Sequence, residues 1–373
     1  MFEWTGRLIV HVDMNAFYPS CEQLMDKTLV GKPVIVVMSP DDDGELVRGA
    51  VASCSYEARK FGVRSGISLR KARELCPDGV YLRTNFPLYE AVSDSVMNVL
   101  QRFADRLEQA SIDEAYLDST KKAKLEYDSP EAFGSAIKNA VLSEVGLRCS
   151  VGIAPTKASA KIASDAEKPD GLTIIRPESA RTYLSNLDVE SVAGIGPKTR
   201  AALSKMGIQT LGQLADASPE ILMERFGKTG IWMWKVANAE DSEEVKPVEE
   251  PKSISTEHTL RSETSDRETI EQELQTLASD LFKRLETTGM TCRTVGIKVV
   301  CSDFRILTRD KTVRRPIDSY QAAVQILHEL ALRTPSVPVR KVGVRLSGLE
   351  RGRANSRNIE YWTEDSVSSS INR

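Results

Sequence analysis

The chain has 373 residues, 41% hydrophobic and 28% charged, with a formal net charge of −3. Those proportions exclude a globally disordered or collagen-like chain, and no apolar run reaches the roughly 18 residues that a membrane span needs. The near-neutral total, taken whole, argues against a nucleic-acid partner.

Length alone suggests two to four domains, at roughly 100–200 residues each. The first residues, Met1-Phe2-Glu3-Trp4, have no basic segment followed by an apolar run, so a secretory leader is not expected. Leu8–Val12 reads as a buried strand ending at Asp13. A helical pattern covers 16–25, and Val34–Met38 is a second strand entered after Gly31-Lys32-Pro33. Residues 41–45 read as an exposed loop. Tyr56–Phe61 and Ser68–Leu75 are helical, and Leu88–Leu107 is predicted as one long amphipathic helix. Glu114–Leu117 is strand-like, 130–145 helical and Cys149–Ile153 a strand, and Lys157–Ser164 opens another helix. This mixture predicts an α/β or α+β domain up to about residue 174.

From 175 to 241 short helical segments alternate with glycine and proline, which predicts a small all-α domain. The acidic, proline-bearing stretch 242–252 reads as a linker. After it come a helix at 267–288, a strand at 294–301, a segment at 304–313, a helix at 318–333 and a strand at 340–346. That order predicts a small α+β domain. The tail, 354–373, is polar and reads as disordered.

Six cysteines form no C-x-x-C pair, and the three histidines, His11, His258 and His328, share no metal-type spacing. A zinc hydrolase does not fit. The thiols read as reduced and buried, and His11 as a core residue. Acid–base or metal chemistry must therefore rest on carboxylates. The charge is also uneven. Residues 290–353 hold thirteen Lys/Arg and five Asp/Glu, a net of +8, and residues 1–289 sum to −10. Arg305, Arg309, Lys311, Arg314 and Arg315 crowd one strand-like stretch, whose odd-numbered positions would share a sheet face. Such a face suits a phosphate backbone, or else guards an edge strand against pairing.

Three acids stand out. Asp13 ends a buried strand, where a carboxylate is costly unless it is hydrogen-bonded or on a cation. Asp113 and Glu114 are adjacent, so a local bend would be needed to aim both at one site. Two-metal phosphoryl transfer needs such a cluster. Asp13 could instead cap the helix that follows, and Asp113-Glu114 could be a polar turn. Tyr56 and Arg59 share a helix face, and Lys168 precedes Pro169 in a loop that can aim a cation into a cleft. Val192–Thr199, with Gly194, Gly196 and Lys198, fits a helix–hairpin–helix turn whose glycines admit a phosphate, or a plain αα-hairpin.

Four blocks occur in order: Val12-Asp13-Met14-Asn15-Ala16-Phe17-Tyr18, Tyr56-Glu57-Ala58-Arg59, Ser111-Ile112-Asp113-Glu114-Ala115-Tyr116-Leu117-Asp118 and Ala160-Lys161-Ile162-Ala163-Ser164. On these the chain closely resembles the Y-family DNA polymerases of the DNA polymerase IV group, in an archaeal-looking form, over about 6–350. The resemblance implies a multidomain α+β right-hand fold. The ferredoxin-like palm would be 1–16 and 87–174, the fingers 17–86, the helix–hairpin–helix thumb 175–241 and the little finger 253–353. It implies a translesion, low-fidelity DNA-directed DNA polymerase without proofreading, acting in DNA damage tolerance, cytoplasmic and monomeric. Asp13, Asp113 and Glu114 match the catalytic, metal-binding carboxylates, and Met14 a backbone carbonyl that also meets metal. Two Mg²⁺ ions are implied, with Mn²⁺ as a substitute. Tyr18 matches the steric gate that collides with a ribose 2′-OH. Phe17, Tyr18, Tyr56, Arg59 and Lys168 match dNTP contacts. Gly194, Gly196, Lys198, Arg305, Arg309, Arg314 and Arg315 would meet primer–template DNA.

Two departures from the pattern are visible. Asn15 and Ala16 stand where some relatives carry acidic or aromatic residues; neither would be a side-chain ligand, so little effect on chemistry is expected. The family's C-terminal sliding-clamp motif is incomplete at Ser368–Arg373, so clamp binding would use another surface or a longer chain. A palm-fold nucleotidyl cyclase would leave the helix–hairpin–helix and the basic domain unexplained. A non-catalytic DNA-binding protein would leave the three carboxylates unexplained.

Overall fold

The computed structural model describes residues 3–39, 46–247, 250–334 and 337–351. The loop expected at 41–45 and the tail at 354–373 lie outside these residues. The chain forms two compact units, Met1–Glu249 and Glu250–Arg373.

The first unit starts with β1 (Ile9–Met14), buried along its whole length, then α1 (Phe17–Met25), β2 (Val34–Met38), β3 (Ala50–Cys54), α2 (Tyr56–Lys60), α3 (Leu69–Leu75) and β4 (Val80–Arg83). There follow α4 (Phe86–Gln101), β5 (Arg106–Gln109), β6 (Glu114–Asp118), α5 (Lys122–Glu126), α6 (Pro130–Val145), β7 (Cys149–Ala154), α7 (Lys157–Ala166) and β8 (Leu172–Ile174). The main sheet has the order β5-β6-β1-β7-β8, with β1 antiparallel to both neighbours and β8 parallel to β7. A strand buried on both faces explains why β1 reads as an unbroken apolar run rather than an alternating one. Val10, Val12 and Met14 pack into the core shared with α4 and α6, while Ile9 packs with Ala160 and Ala163 of α7. A smaller sheet, β3-β2-β4, carries α2 and α3.

Two sequence expectations change here. The helix expected over 88–107 stops at Gln101, and Arg106–Gln109 instead forms an edge strand with Leu107 opposite Leu117. The apolar spacing of Leu100, Phe103 and Leu107 imitates a helical face, but pairing with β6 overrides it. Strands β3, β4 and β8 had no visible signal, being only 3–5 residues long.

The unit continues with α8 (Ala180–Ser185), α9 (Pro197–Ser204), α10 (Leu211–Ala215), α11 (Pro219–Phe226) and α12 (Lys228–Ala237), around a core that includes Leu184, Leu203, Leu214 and Met233. The stretch expected to be a linker is anchored along its first half. Val245 is fully buried, Glu243 reaches the buried Lys157 at 3.0 Å, and the Lys246 N–H donates to Glu108 at 2.9 Å. Asp241, just before it, accepts from the Ala158 N–H.

The second unit is an antiparallel sheet of order β11-β10-β12-β9: β9 (Ser253–Thr264), β10 (Met290–Cys301), β11 (Ile306–Ile317) and β12 (Val339–Ser347), with β13 (Glu350–Arg351) beside β10. Helices α13 (Arg267–Thr288) and α14 (Tyr320–Ala331) cover one face, and Val295, Ile297, Val342, Val344 and Leu346 point at them. β9 lacks clean hydrophobic alternation, which hid it in the sequence.

Candidate active site

The strand ladder gathers the acids. Asp13 sits opposite Glu114 of β6 and Ser150 of β7. The Met14 N–H donates to the Asp113 carbonyl at 2.9 Å, which places Asp113 beside the end of β1. Asp113 is oriented by its own turn: Ser111 Oγ donates to its Oδ1 at 2.6 Å and accepts from its N–H at 3.2 Å. That turn orients Asp113, while Glu114 continues into β6 opposite Asp13.

α7 lies on the sheet because residue 152 is glycine. A Cβ there would come within 2.1 Å of the Ala160 carbonyl oxygen and 2.3 Å of the Ser164 nitrogen. The close seat brings three polar side chains of α7 onto the strands. Lys161 Nζ meets Glu114 Oε1 at 2.6 Å, Ser164 Oγ meets His11 Nδ1 at 2.7 Å, and Lys157 Nζ meets Glu108 at 2.8 Å. His11 is fully buried, and burial, then Lys161, pushes its pKa down to about 3, so it stays neutral as a core residue.

Lys168 follows α7 and turns back onto β1. Its Nζ lies 2.6 Å from Asp13 Oδ2 and 2.6 Å from Asp165 Oδ1. Asn15 holds that loop in place: its Oδ1 accepts from the Asp170 N–H at 2.8 Å and its Nδ2 donates to Ser150 at 2.9 Å. Asn15, set aside on sequence grounds as chemically minor, is buried and ties the Lys168 loop to the central strands.

Burial, reinforced by neighbouring Glu114, pushes Asp13 up to about 7 against the pull of Lys168. Burial also acts upward on Glu114, but its contacts with Asp13 and Lys161 outweigh this and hold it below its ordinary value. A buried carboxylate beside a half-buried one is a place where positive charge is stabilising. The donors are all oxygens, which suits a hard divalent cation. Among the described residues no three such side chains are already drawn together tightly enough to grip an ion. Glu114 is turned onto Lys161 and Asp13 onto Lys168, so each carboxylate is paired with an ammonium group.

A cleft of about 300 Å³ opens at this point. Asp13, Met14, Phe17, Tyr18, Tyr56, Arg59, Asp113 and Lys168 all line it; Glu114 does not. Tyr56 and Arg59 come from α2, whose N-cap Ser55 accepts from the Ala58 N–H. The Arg59 guanidinium lies over the Tyr56 ring at 4.5 Å, a cation–π contact that orients it. α1 enters the cleft through Ala16, which has φ 45°, an uncommon conformation for a residue with a Cβ.

The remaining residues singled out in the sequence lie elsewhere. Gly194 (φ 105°) and Gly196 form the turn into α9, with open space at the Gly196 Cβ position, and Lys198 is exposed on the first turn. In the second unit the odd positions of β11 do share a face, but Val313 and Ile317 show it to be the helix-covered one, and Lys311 there pairs with Glu329 of α14. Arg309, opposite Ile297 in the ladder, is on that same side, exposed at the sheet edge, and Arg315 is exposed within the irregular stretch between Thr312 and Ile317. Arg305 lies before the strand and pairs with Asp303 at 2.6 Å. Arg314 is exposed in the same irregular stretch as Arg315.

The sheet face away from the helices carries cations the sequence reading passed over. Lys298, Lys341 and Arg345 alternate with the buried Val299, Val342, Val344 and Leu346. The alternation in Lys341-Val342-Gly343-Val344-Arg345-Leu346 was the available signal. Lys298 and Lys341 share Glu257 at 2.6 and 2.5 Å, whereas Arg345 meets the Ser253 hydroxyl at 3.3 Å.

The impB/mucB/samB family matches residues 12–165, and the C-terminal domain of that family matches 251–360. The DNA polymerase IV of Methanoculleus marisnigri is 42% identical over 96% of this chain and 98% of its own length. That of Halobacterium salinarum is 38% identical over 92% of this chain and 85% of its own length. Among solved structures, a chimera of the Y-family DNA polymerases Dbh and Dpo4 matches with TM-score 0.82 and 31% identity, covering 91% of this chain and 98% of that one. An insertion ternary complex of Dbh DNA polymerase matches with TM-score 0.66 and 30% identity over the same shares.

Proposed function

The chain belongs to the DNA polymerase IV family of Y-family DNA polymerases, and from that premise we propose that the cleft at the end of β1 is its nucleotidyl-transfer site. The protein is a DNA-directed DNA polymerase of the translesion type, and its family depends on divalent metal. The observation that carries the assignment of the site is the shared cleft. Two acids, two cations and a phenol from five separate segments (Asp13, Asp113, Arg59, Lys168 and Tyr18) line one opening.

Asp13, Asp113 and Glu114, with the Met14 carbonyl, would hold two Mg²⁺ ions. When bound, these supply an activated primer 3′-OH and stabilise charge on the departing pyrophosphate. The chain's own groups do the rest. Arg59, fixed on Tyr56, and Lys168 grip the triphosphate oxygens of a dNTP and align its α-phosphate. Phe17 and Tyr18 form the floor under the sugar, and the Tyr18 ring leaves no room for a ribose 2′-OH. The Lys161 ammonium, 2.6 Å from Glu114, holds that carboxylate in its charged form. The turn at Gly194 and Gly196 with Lys198, and the basic strands of the second unit, take the phosphate backbone of primer–template DNA. Among the described residues no helix is long and apolar enough to cross a membrane.

Primer extension with Mg²⁺ and dNTPs tests this. Asp113→Ala is expected to abolish extension while primer–template binding stays near that of the unaltered chain. Extension at undiminished rate would refute the site.

A further inference from the structure

Tyr18 does not act as an isolated ring. It and Glu22 are four residues apart on α1, hence on one face. Tyr89 of α4 bridges them. Its ring lies parallel to Tyr18, with centroids 4.3 Å apart and planes at 10°, and its hydroxyl donates to Glu22 Oε1 at 2.6 Å. Phe86, at the start of α4, meets both rings edge-on at 6.2 Å, and Phe17 approaches Tyr89 at 6.5 Å. Tyr89 is fully buried. Burial, followed by the Glu22 carboxylate, holds its phenol above the usual range, so it remains a hydrogen-bond donor.

A gate made of one side chain excludes a hydroxyl group only if the ring cannot recede. Tyr18 lines the cleft and is only partly buried, so one face of its ring is open to the cleft. Tyr89 covers the other face of the ring, and the bond to Glu22 anchors the far end of its side chain. We propose that Tyr89 is a positioning residue for sugar selection: a backstop whose flat ring holds Tyr18 forward against the incoming nucleotide. Tyr89 does not line the cleft, so its effect must run through Tyr18. The inference rests on Tyr18 being the sugar gate.

The test is single-nucleotide insertion by the full chain, with kcat/KM measured for a dNTP and the matching rNTP. Tyr18→Ala is expected to lower the dNTP/rNTP ratio most. Tyr89→Leu should lower it roughly three- to ten-fold, the scale set by loss of one stacked ring pair, with a smaller fall in kcat/KM for the dNTP. Tyr89→Phe keeps the ring and should retain most of the discrimination. Adding Tyr89→Leu to Tyr18→Ala should relax the ratio no further, because the two act through one ring. Should Tyr89→Leu not fold, Tyr89→Met, apolar and of similar size but without a flat face, takes its place.

A wild-type ratio in the Leu or Met variant, while Tyr18→Ala relaxes it, would overturn the backstop and leave the gate standing. Equal relaxation in the Phe and Leu variants would also overturn it, since the stacked ring would then not be the carrier. Unchanged discrimination in Tyr18→Ala would remove the gate itself, and the backstop with it.

Discussion

Lys168 Nζ rests 2.6 Å from Asp13 Oδ2, so the residue expected to grip the triphosphate is engaged with a residue expected to grip metal. The pair makes the cleft's two jobs interdependent. A cation held at Asp13 would release Lys168 for phosphate, and a phosphate held at Lys168 would release Asp13 for a cation. Replacing Lys168 by Met is expected to raise the KM for dNTP roughly ten-fold, the scale of a lost charge-assisted contact. In the absence of nucleotide the same variant should bind Mg²⁺ more tightly, by titration calorimetry. Weaker Mg²⁺ binding would contradict the competition.

Asn15 offers a separable perturbation. It is no ligand, yet it fixes the Asp170 backbone and with it the loop that carries Lys168. Asn15→Ala should cost about 1–3 kcal/mol of stability, from buried groups left unpaired. In kinetics it should raise the KM for dNTP more than it lowers kcat. A fall in kcat alone would mean that Asn15 acts on the carboxylates and not on the loop.

Arg345 and Lys311 both contribute to the net positive charge of the second unit but occupy opposite faces of its sheet. Arg345→Ala is expected to weaken primer–template binding at all sequences and to reduce the slope of log K against log salt by about 1. Lys311→Ala, which breaks a pair with Glu329 on the helix side, should leave that slope unchanged. The reverse result would put DNA on the helix-covered face.

All six cysteines are buried and free. Burial pushes Cys21 and Cys149 up to about 12 and Cys292 to about 11, far above an unperturbed thiol. At pH 8 almost none of these three is thiolate, and raising the pH toward 9 changes little. The native protein should therefore react with a thiol reagent slowly and incompletely at pH 8, and with all six groups in denaturant. Rapid labelling of one native cysteine would reveal an opening that the packed cores do not show.

Much of the site was legible in the sequence because its signals are local. Asp13 closes an apolar run, Asp113 follows a Ser-Ile turn, and Tyr56 and Arg59 are one helical turn apart. What stayed hidden depends on partners far along the chain. Glu243 looks like linker acid until Lys157, 86 residues earlier, is seen buried beneath it. Tyr89 looks like ordinary helix core until it is found against Tyr18. The end of α4 was misread because Leu100, Phe103 and Leu107 satisfy both a helical face and a turn followed by a strand. Only the partner strand β6 decides between them. On β11 the alternation put Arg309 and Lys311 on one face, but nothing local says which side the helices cover.

The absent side chain at Gly152 has a wider effect than its own packing. It sets the depth at which α7 seats, and Lys157, Lys161 and Ser164 descend from that one helix together. Their contacts with Glu108, Glu114 and His11 therefore behave like the teeth of a single key. Any substitution that lifts the helix withdraws all of them at once, and losses measured one by one will not sum to the loss measured at residue 152.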